Sequence, residues 1–204
     1  MNSMAMMRLL LANKGRGEFR AEDNVIWLYD TIASDREEAN WLGGIAPEDF
    51  IATLAACTGP VMLRINSPGG SVFGAQAMVA AMRAYPHPVT ARIDALAASA
   101  ASVIAASCAS CVMVPGSILM IHKAWALTVG NADEMTQMAG ILNKIDGLIA
   151  DNYASRSKAS REDYLALMAS ETWFTPEEAL AQGLADVIDE TNTQRTVSAR
   201  RLQE

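Results

Sequence analysis

The chain has 204 residues, of which 51% are hydrophobic and 19% are charged. This balance is typical of one globular domain and excludes a chain that is disordered throughout. The formal net charge is −7, which argues against nucleic acid as the main partner, because affinity for nucleic acid depends largely on Lys and Arg contacts.

The cysteines predict neither a disulfide framework nor a metal site. There are three, Cys57, Cys108 and Cys111, and a low, odd number is not typical of a secreted disulfide-linked fold. Cys108 and Cys111 are spaced as C-x-x-C, but zinc takes about four ligands, and the chain offers only one further Cys and two His. We expect the cysteines to be small buried apolar side chains, and we expect no metal and no cofactor.

The ends of the chain differ in character from its middle. Residues 1–23 are mixed in charge and predict a flexible N-terminal arm, and residues 191–204 predict a polar C-terminal tail. A short apolar patch near the N terminus is followed by Lys14 and Arg16, the reverse of the order in a signal peptide. No stretch has the ~20 strongly apolar residues that cross a bilayer. We therefore expect one domain over residues 24–190, in a cytoplasmic protein that does not bind membranes.

Between those ends, strand-like and helix-like segments alternate. Short apolar runs predict strands at 25–28, 61–65, 89–93, 111–114, 118–121 and 172–174. Helix-start signals predict helices from Pro47, near Gly74, near Ser99, and from Asn131, Ser160 and Pro176. This alternation is typical of an α/β fold with a largely parallel sheet.

The helix that Asn131 caps carries a continuous apolar stripe. Its apolar residues recur at spacings of three and four, which predicts one hydrophobic face. They are Met135, Met138, Ile141, Leu142, Ile145, Leu148, Ile149 and Tyr153. We expect this face to pack on the core.

Two segments are candidates for a catalytic site, one for its backbone and the other for its serine side chain. Paired glycines in the segment 67–70 (SPGG) follow a predicted buried strand, where they let the backbone approach a ligand closely. Ser99 follows a strand and opens a predicted helix, whose N terminus favours negative charge near the hydroxyl. Each segment also has an ordinary interpretation, the first as a turn and the second as a packed Ala-rich helix.

His122 is the third candidate. The chain has two histidines. His87 lies between prolines in a predicted surface loop, whereas His122 ends a predicted buried strand, and strand ends are where α/β sheets place functional side chains. A lone histidine is more often structural, but an unactivated serine needs a base within hydrogen-bond reach.

Taken together and in this order, the SPGG loop, the LAASAAS segment around Ser99 and the MIH segment that ends at His122 resemble the ClpP family of serine peptidases. The resemblance covers about residues 25–189 and includes TPEEA at 175–179 and GLAD at 183–186. In detail the chain is similar to the ClpP-related head-maturation (prohead) proteases of tailed bacteriophages. The segments concerned are RINSPGG (64–70), MIH (120–122), GNA (130–132) and ETW (171–173).

The resemblance implies a ClpP/crotonase-like α/β fold, built from repeated β-β-α units with a protruding long handle helix. It implies that Ser99 is the nucleophile and His122 its general base, with an oxyanion hole formed by the amides of Gly69 and Ala100. It also implies that the helix from Asn131 packs between subunits in rings of about seven, single or stacked in pairs, with an unfoldase as a further partner.

The third member of the catalytic triad departs from the family pattern. The family places an Asp in the helix before the last strand, and that position here is Leu167, which cannot orient an imidazole. Glu171, four residues later, is the nearest acid and the candidate for the orienting group. A backbone carbonyl or a Ser–His dyad are the alternatives, since an orienting acid is the least indispensable member of such sites. Asp163 and Asp186 are interpreted as a capping and a structural residue.

The main hypothesis is a serine endopeptidase that cleaves protein chains by acyl transfer. The closer resemblance implies phage capsid and scaffold proteins as substrates, in the host cytoplasm or an assembling prohead. A second hypothesis is a Ser–Lys dyad that uses Lys123, Lys144 or Lys158. A third is a crotonase-type acyl-CoA enzyme, but the sequence shows no obvious paired carboxylates of the kind that such enzymes use. A fourth hypothesis is a structural ring subunit without activity, because Leu167 stands where the family has its orienting acid.

Overall fold

Residues 17–190, which the computed structural model describes, form an eight-stranded sheet and seven helices. The strands are β1 (Glu18–Glu22), β2 (Val25–Tyr29), β3 (Val61–Ser67), β4 (Val89–Ala98), β5 (Ser110–Met113), β6 (Ile118–Ile121), β7 (Thr172–Phe174) and β8 (Val187–Ile188). The helices are α1 (Arg36–Leu42), α2 (Pro47–Ala56), α3 (Val72–Ala84), α4 (Ala100–Ser107), α5 (Ala132–Arg156), α6 (Arg161–Ala169) and α7 (Pro176–Gln182). Strands and helices alternate along the chain, which confirms the predicted α/β class.

The sheet is largely parallel, as predicted. Its strands lie in the order β1-β2-β3-β4-β5-β8, and β6 pairs with β4 and β7. Among these pairs, β1–β2 and β6–β7 are antiparallel and the others are parallel. Because β3, β4 and β6 are parallel, the residues that follow them meet at one edge of the sheet, where α/β proteins place their sites.

Strand β4 is longer than predicted. It continues past Ile93 to Ala98 because it changes partner, pairing first with β5 and then, through residues 96–98, with β6. Ala97 and Ala98 at its end are fully buried, so tertiary packing here outweighs the low strand propensity of alanine. The extension places the end of β4 directly beside the end of β6.

Strand β1 lies within the segment expected to be a flexible arm, residues 1–23, so regular structure begins before Asn24. Its sequence is polar and shows little strand patterning, but all five of its residues pair in register with β2. Helix α1 is also absent from the prediction, although Asp35 caps it by accepting a hydrogen bond from a backbone amide of the first turn. Residues 1–16 of the expected arm and the whole expected tail, 191–204, lie outside the described residues.

Helix α5 is the long helix predicted from Asn131, and a capping box at that residue begins it. The predicted stripe is buried only in its second half, where Ile149 and Tyr153 join the core. Met135 and Ile141 belong to the same stripe but are 49% and 46% exposed, so the first half of α5 does not pack on the core of its own chain. Neither α5 nor any other helix within residues 17–190 is both long and apolar enough to span a membrane.

The two cysteines of the C-x-x-C segment are part of the core. Cys108 and Cys111 are both buried and free, which confirms the expectation for these two, whereas Cys57 is free but only partly buried. Burial raises the pKa of the Cys111 thiol to about 12 and also raises that of Cys108. Both thiols are therefore protonated at neutral pH, and neither is a reactive nucleophile.

Candidate active site

Ser99 lies at the sharp turn between β4 and α4. Its backbone has φ 54° and ψ −125°, and such a conformation costs a non-glycine residue of order 1–3 kcal/mol. The Ser99 amide donates to the carbonyl of Met120 in β6 at 2.9 Å, which anchors the turn to the sheet. The side chain makes no helix-capping hydrogen bond and lines a cleft at this edge.

The turn is also tied to α5 through a buried pair of hydroxyls. Ser102 Oγ donates to the carbonyl of Ser99 at 2.6 Å and lies 2.8 Å from the hydroxyl of Tyr153. Ser102 and Tyr153 are both fully buried. The strained conformation of Ser99 is therefore held by fixed partners on either side.

His122 follows the last residue of β6 and reaches Ser99. Its Nε2 lies 2.7 Å from Ser99 Oγ, within hydrogen-bond range. Burial lowers the pKa of His122, while the negative charges of Glu171 and Asp146 act in the opposite direction. The imidazole is therefore mainly neutral at pH 7, the state in which Nε2 can accept a proton from the hydroxyl.

Glu171 directly precedes β7, next to the point where β7 pairs with β6. The last pair of this antiparallel ladder is Ile121 with Thr172, so Glu171 and His122 are the two residues that adjoin it, and the charge of Glu171 acts on the imidazole. Glu171 has φ 47°, a left-handed conformation that is uncommon for a non-glycine residue. Its Oε1 accepts a hydrogen bond from Trp173 Nε1 at 3.1 Å. A strained acid whose charge acts on a half-buried histidine is typical of a functional site.

Leu167, the position at which the resemblance predicts the family's acid, lies on α6, and its backbone makes a hydrogen bond to β7. Its carbonyl accepts a hydrogen bond from Thr172 Oγ1 at 2.7 Å. The carbonyl of the next residue, Met168, accepts the amide of Lys123 at 3.1 Å. The end of α6 therefore holds both β7 and the segment that follows β6.

The glycine loop lies directly against the serine. A Cβ atom added to Gly69 would lie 2.8 Å from Ser99 Cβ and 2.9 Å from Ala100 N, so no larger residue fits without a shift. Gly69 also has φ 91°, which favours glycine. Its amide donates to Ser67 Oγ at 3.1 Å, and that hydroxyl donates to the carbonyl of Asp30 at 2.6 Å. The loop is thus fixed to β2 beside the nucleophile candidate.

A cleft of about 590 Å³ opens over Ser99 and His122. Its lining is mostly apolar, and Glu38 is the one carboxylate that lines it within residues 17–190. The lining residues are Thr31, Ile32, Ala33, Ser34, Glu38, Leu42, Gly43, Gly70, Ser71, Val72, Ser99, Ala100, Val103, His122, Ala124, Trp125, Ala126, Leu127, Ile149 and Tyr153. A cleft of this size and polarity accommodates apolar side chains of a peptide.

The lysines considered for a Ser–Lys dyad lie elsewhere. None of Lys123, Lys144 and Lys158 lines the cleft, whereas Ser99 Oγ is in contact with His122. The geometry therefore favours histidine over lysine as the base.

Asp163 and Asp186 have the structural positions expected of them. Asp163 completes the capping box at Ser160. Asp186 accepts the amide of Cys111 at 2.7 Å and forms an ion pair with Arg156. Neither acid lines the cleft.

Sequence reasoning missed Asp146. It lies on α5, is 4% exposed, and accepts a hydrogen bond from the amide of Ala124 at 2.7 Å. A signal was available, because Asp146 lies four residues after Leu142 and three before Ile149, within the predicted apolar stripe. Carboxylates are almost never fully buried unless they are paired, so an acid in that stripe marks a special environment.

A serine in hydrogen-bond contact with a histidine, at the carboxyl edge of an α/β sheet, is typical of enzymes that transfer acyl groups. The sequence model of the Clp protease family matches residues 49–192, which is more than half of the chain. The chain therefore belongs to the Clp protease family of peptidases, as predicted.

Individual relatives agree with this assignment. The chain is 28% identical over 205 residues to the ATP-dependent Clp protease proteolytic subunit of Deinococcus radiodurans, a match that covers 96% of this chain and 98% of the relative. It is 28% identical over 199 residues to the subunit of the same name from Streptococcus suis, covering 90% and 96%. The ATP-dependent Clp protease proteolytic subunit 1 of Chlamydia abortus is 33% identical over 133 residues, covering 63% and 69%.

Proposed function

We propose that this chain is a serine endopeptidase in which Ser99 is the nucleophile and His122 the general base. The observation that carries the proposal is the 2.7 Å contact between Ser99 Oγ and His122 Nε2, in a largely apolar cleft. A neutral imidazole beside a hydroxyl that opens a helix is the arrangement that activates a serine for attack on a carbonyl.

The proposed reaction proceeds through an acyl-enzyme. Ser99 Oγ attacks the carbonyl carbon of a peptide bond while His122 Nε2 accepts the hydroxyl proton. The tetrahedral intermediate collapses, the C–N bond breaks, and the imidazolium gives its proton to the leaving amine. Water, deprotonated by His122, then attacks the ester, which releases the carboxylate product and restores the Ser99 hydroxyl.

We assign the oxyanion hole to the amides of Gly69 and Ala100. Ala100 is the first residue of α4, and the first amides of a helix have no intrahelical acceptor, so this one is available to a developing negative charge. The Gly69 amide donates to Ser67 Oγ at 3.1 Å. Its donation to a substrate oxygen therefore requires that the bond to Ser67 lengthen when substrate binds.

We assign the orientation of His122 to Glu171, whose charge favours the protonated imidazole. The variant Glu171→Gln is expected to lower peptide hydrolysis by about 10²- to 10⁴-fold, because the orienting charge is lost. Glu162→Gln, an exposed acid in the first turn of α6, is the matched control and should retain the wild-type rate. Wild-type activity in Glu171→Gln would instead support a Ser–His dyad.

The pH dependence of the reaction follows from the protonation of His122. Burial lowers its pKa from the ordinary value of 6.5, and only the neutral imidazole can accept the Ser99 proton. The rate should therefore rise with pH through a midpoint below 6.5 and reach a plateau at higher pH. Rates of serine labelling by a fluorophosphonate, measured from about pH 4.5 to 8, test this, and a midpoint above neutrality would contradict it.

Cleavage of a protein chain tests the proposed activity itself. The purified protein is incubated with a denatured protein, and new N termini are identified by mass spectrometry. New termini that disappear after fluorophosphonate treatment are expected. No cleavage in any assembly state would favour the inactive structural subunit.

We further propose that the first half of α5 packs between subunits, in rings of about seven. The support is a group of apolar side chains that the core of the same chain leaves exposed: Met135 and Ile141 in the first half of α5, Leu148 further along it, and Leu127 and Val129 just before it. Exposed apolar patches of this kind mark interaction surfaces. Native mass spectrometry counts the subunits, and a monomer at micromolar concentration would contradict the proposal.

As substrates we propose phage capsid and scaffold proteins. The support is confined to sequence segments that resemble the phage proteases, among them 64–70, 130–132 and 171–173. Co-expression with the capsid protein of the same genome should produce a processed fragment, and its absence would contradict this substrate. Degradation of folded proteins would require an unfoldase partner, and the names of the relatives state ATP dependence for those proteins.

A further inference from the structure

Asp146 is a buried carboxylate next to the site. It lies in the second half of α5 and is 4% exposed. Its Oδ1 accepts a hydrogen bond from the amide of Ala124 at 2.7 Å, and its Oδ2 lies 4.0 Å from Lys123 Nζ. Both contacts go to the two residues that directly follow His122.

Placing an ionised carboxylate in this position is costly, because a charge removed from water loses most of its hydration. The Ala124 amide offsets part of that loss by a charge-assisted hydrogen bond, and the exposed Lys123 ammonium offsets a further part. A neutral apolar residue at Asp146 would continue the stripe of α5 without this cost. The buried charge therefore calls for a role beyond packing.

Three successive residues after β6 are anchored to three different helices. His122 Nε2 contacts Ser99 at the start of α4. The Lys123 amide donates to the carbonyl of Met168 in α6, and the Ala124 amide donates to Asp146 in α5. The position of the imidazole relative to Ser99 thus depends on all three contacts. Only the contact to Asp146 uses a charged side chain.

The charges around His122 come from few elements. Glu171, just before β7, and Asp146, on α5, both act on the imidazole by their charge. The Lys123 ammonium lies 4.0 Å from Asp146, and Ser99 supplies a neutral hydroxyl. Both carboxylates favour the protonated imidazole. Asp146 is therefore suited to stabilise the imidazolium that forms when Ser99 gives up its proton.

We propose that Asp146 is a positioning residue of this site, which fixes the segment 122–124 against α5 and supports the positive charge that His122 carries during the reaction. The proposal rests on the proposed serine peptidase function. It assigns the site two carboxylates, of which Glu171 acts on the imidazole by its charge and Asp146 acts through the segment that follows His122.

The test is the rate of fluorophosphonate labelling at Ser99 as a function of pH in Asp146→Asn. Asn can still accept the Ala124 amide but carries no charge, so the fold is expected to persist. Labelling at pH 7 should fall about 10- to 100-fold. The midpoint of its pH profile should move to lower pH by about half a pH unit or more, because the imidazolium loses a stabilising charge.

Two further variants make the result specific. Asp151→Asn removes an exposed acid of the same helix, one paired with Arg161, and should match the wild type in rate and midpoint. Asp146→Glu retains the charge and should retain the midpoint, while its longer side chain displaces the Ala124 amide and lowers the rate. If Asp146→Asn does not fold, Asp146→Glu provides the test. A wild-type labelling rate in Asp146→Glu would then overturn the proposal.

A folded Asp146→Asn protein with the rate and midpoint of Asp151→Asn would show that Asp146 is only structural, and it would overturn this inference while leaving the peptidase function intact. Absence of labelling at Ser99 in the wild type would count against the peptidase function instead. The two failures are therefore distinguishable in one set of measurements.

Discussion

Replacing Ser99 with Ala is expected to lower peptide hydrolysis by about 10⁴- to 10⁶-fold, and His122→Ala should have an effect of the same size. The reason is that nucleophile and base act as one unit, so loss of either removes the acyl-enzyme route. The fold should persist in Ser99→Ala because the turn is held by its backbone contacts to Met120 and Ser102. Cleavage of a denatured protein and the melting temperature, measured side by side, check both statements.

The chain offers matched controls for these two variants. His87 is the other histidine of the sequence, packs edge-on against the ring of Tyr85, and lies outside the cleft lining. Ser155 is a serine of α5 whose hydroxyl donates to a backbone carbonyl of that helix. His87→Ala and Ser155→Ala should retain wild-type rates. More than a tenth of wild-type activity in Ser99→Ala or His122→Ala would show that another group performs the reaction.

Gly69→Ala is expected to reduce the rate by about 10²- to 10³-fold, the usual cost of a lost oxyanion donor. The new methyl group would lie 2.6 Å from the carbonyl oxygen of Ala98 and 2.8 Å from Ser99 Cβ. Since these atoms belong to the strained turn, the loop must retreat and carry its amide away from the reacting carbonyl. The initial rate of peptide cleavage and the rate of fluorophosphonate labelling should fall together.

Gly116→Ala separates this effect from simple backbone strain. Gly116 has φ 84°, close to the 91° of Gly69, but a Cβ atom there meets nothing within 4 Å. Gly116→Ala should therefore lose only the ~1–2 kcal/mol of folding stability that backbone strain costs, and Gly69→Ala should lose that amount plus the cost of its close contacts, while only Gly69→Ala loses activity. Equal activity in the two variants would show that the Gly69 amide takes no part in catalysis.

The principal site residues were accessible from the sequence because each follows a recognisable strand. Ser99 and His122 stand after short apolar runs, and the SPGG loop after another, so an α/β sheet brings them to one edge. Their distance and the strained backbone of Ser99 depend on the partner exchange of β4, which no local pattern encodes. For that reason the predicted strand ended at Ile93 rather than at Ala98.

The acids of the site were harder to predict. The resemblance to the family predicts Leu167 at the position of the orienting acid, whereas the antiparallel pairing of β7 with β6 leaves Glu171 and His122 as the residues that adjoin its last pair. That register depends on contacts between segments some fifty residues apart in sequence, beyond the reach of periodicity. The position of Asp146 is harder still to predict, because Asp146 is near the site only as a result of the packing of the second half of α5 beside the segment that follows β6.

The most direct test of the central claim is to treat the assembled wild-type protein with a fluorophosphonate and to locate the adduct by intact mass and peptide mapping. One adduct per chain, on Ser99, is the expected result, and it should be absent from Ser99→Ala and His122→Ala. No adduct in any assembly state, or an adduct on a different serine, would contradict the assignment of Ser99 and His122 as a catalytic pair.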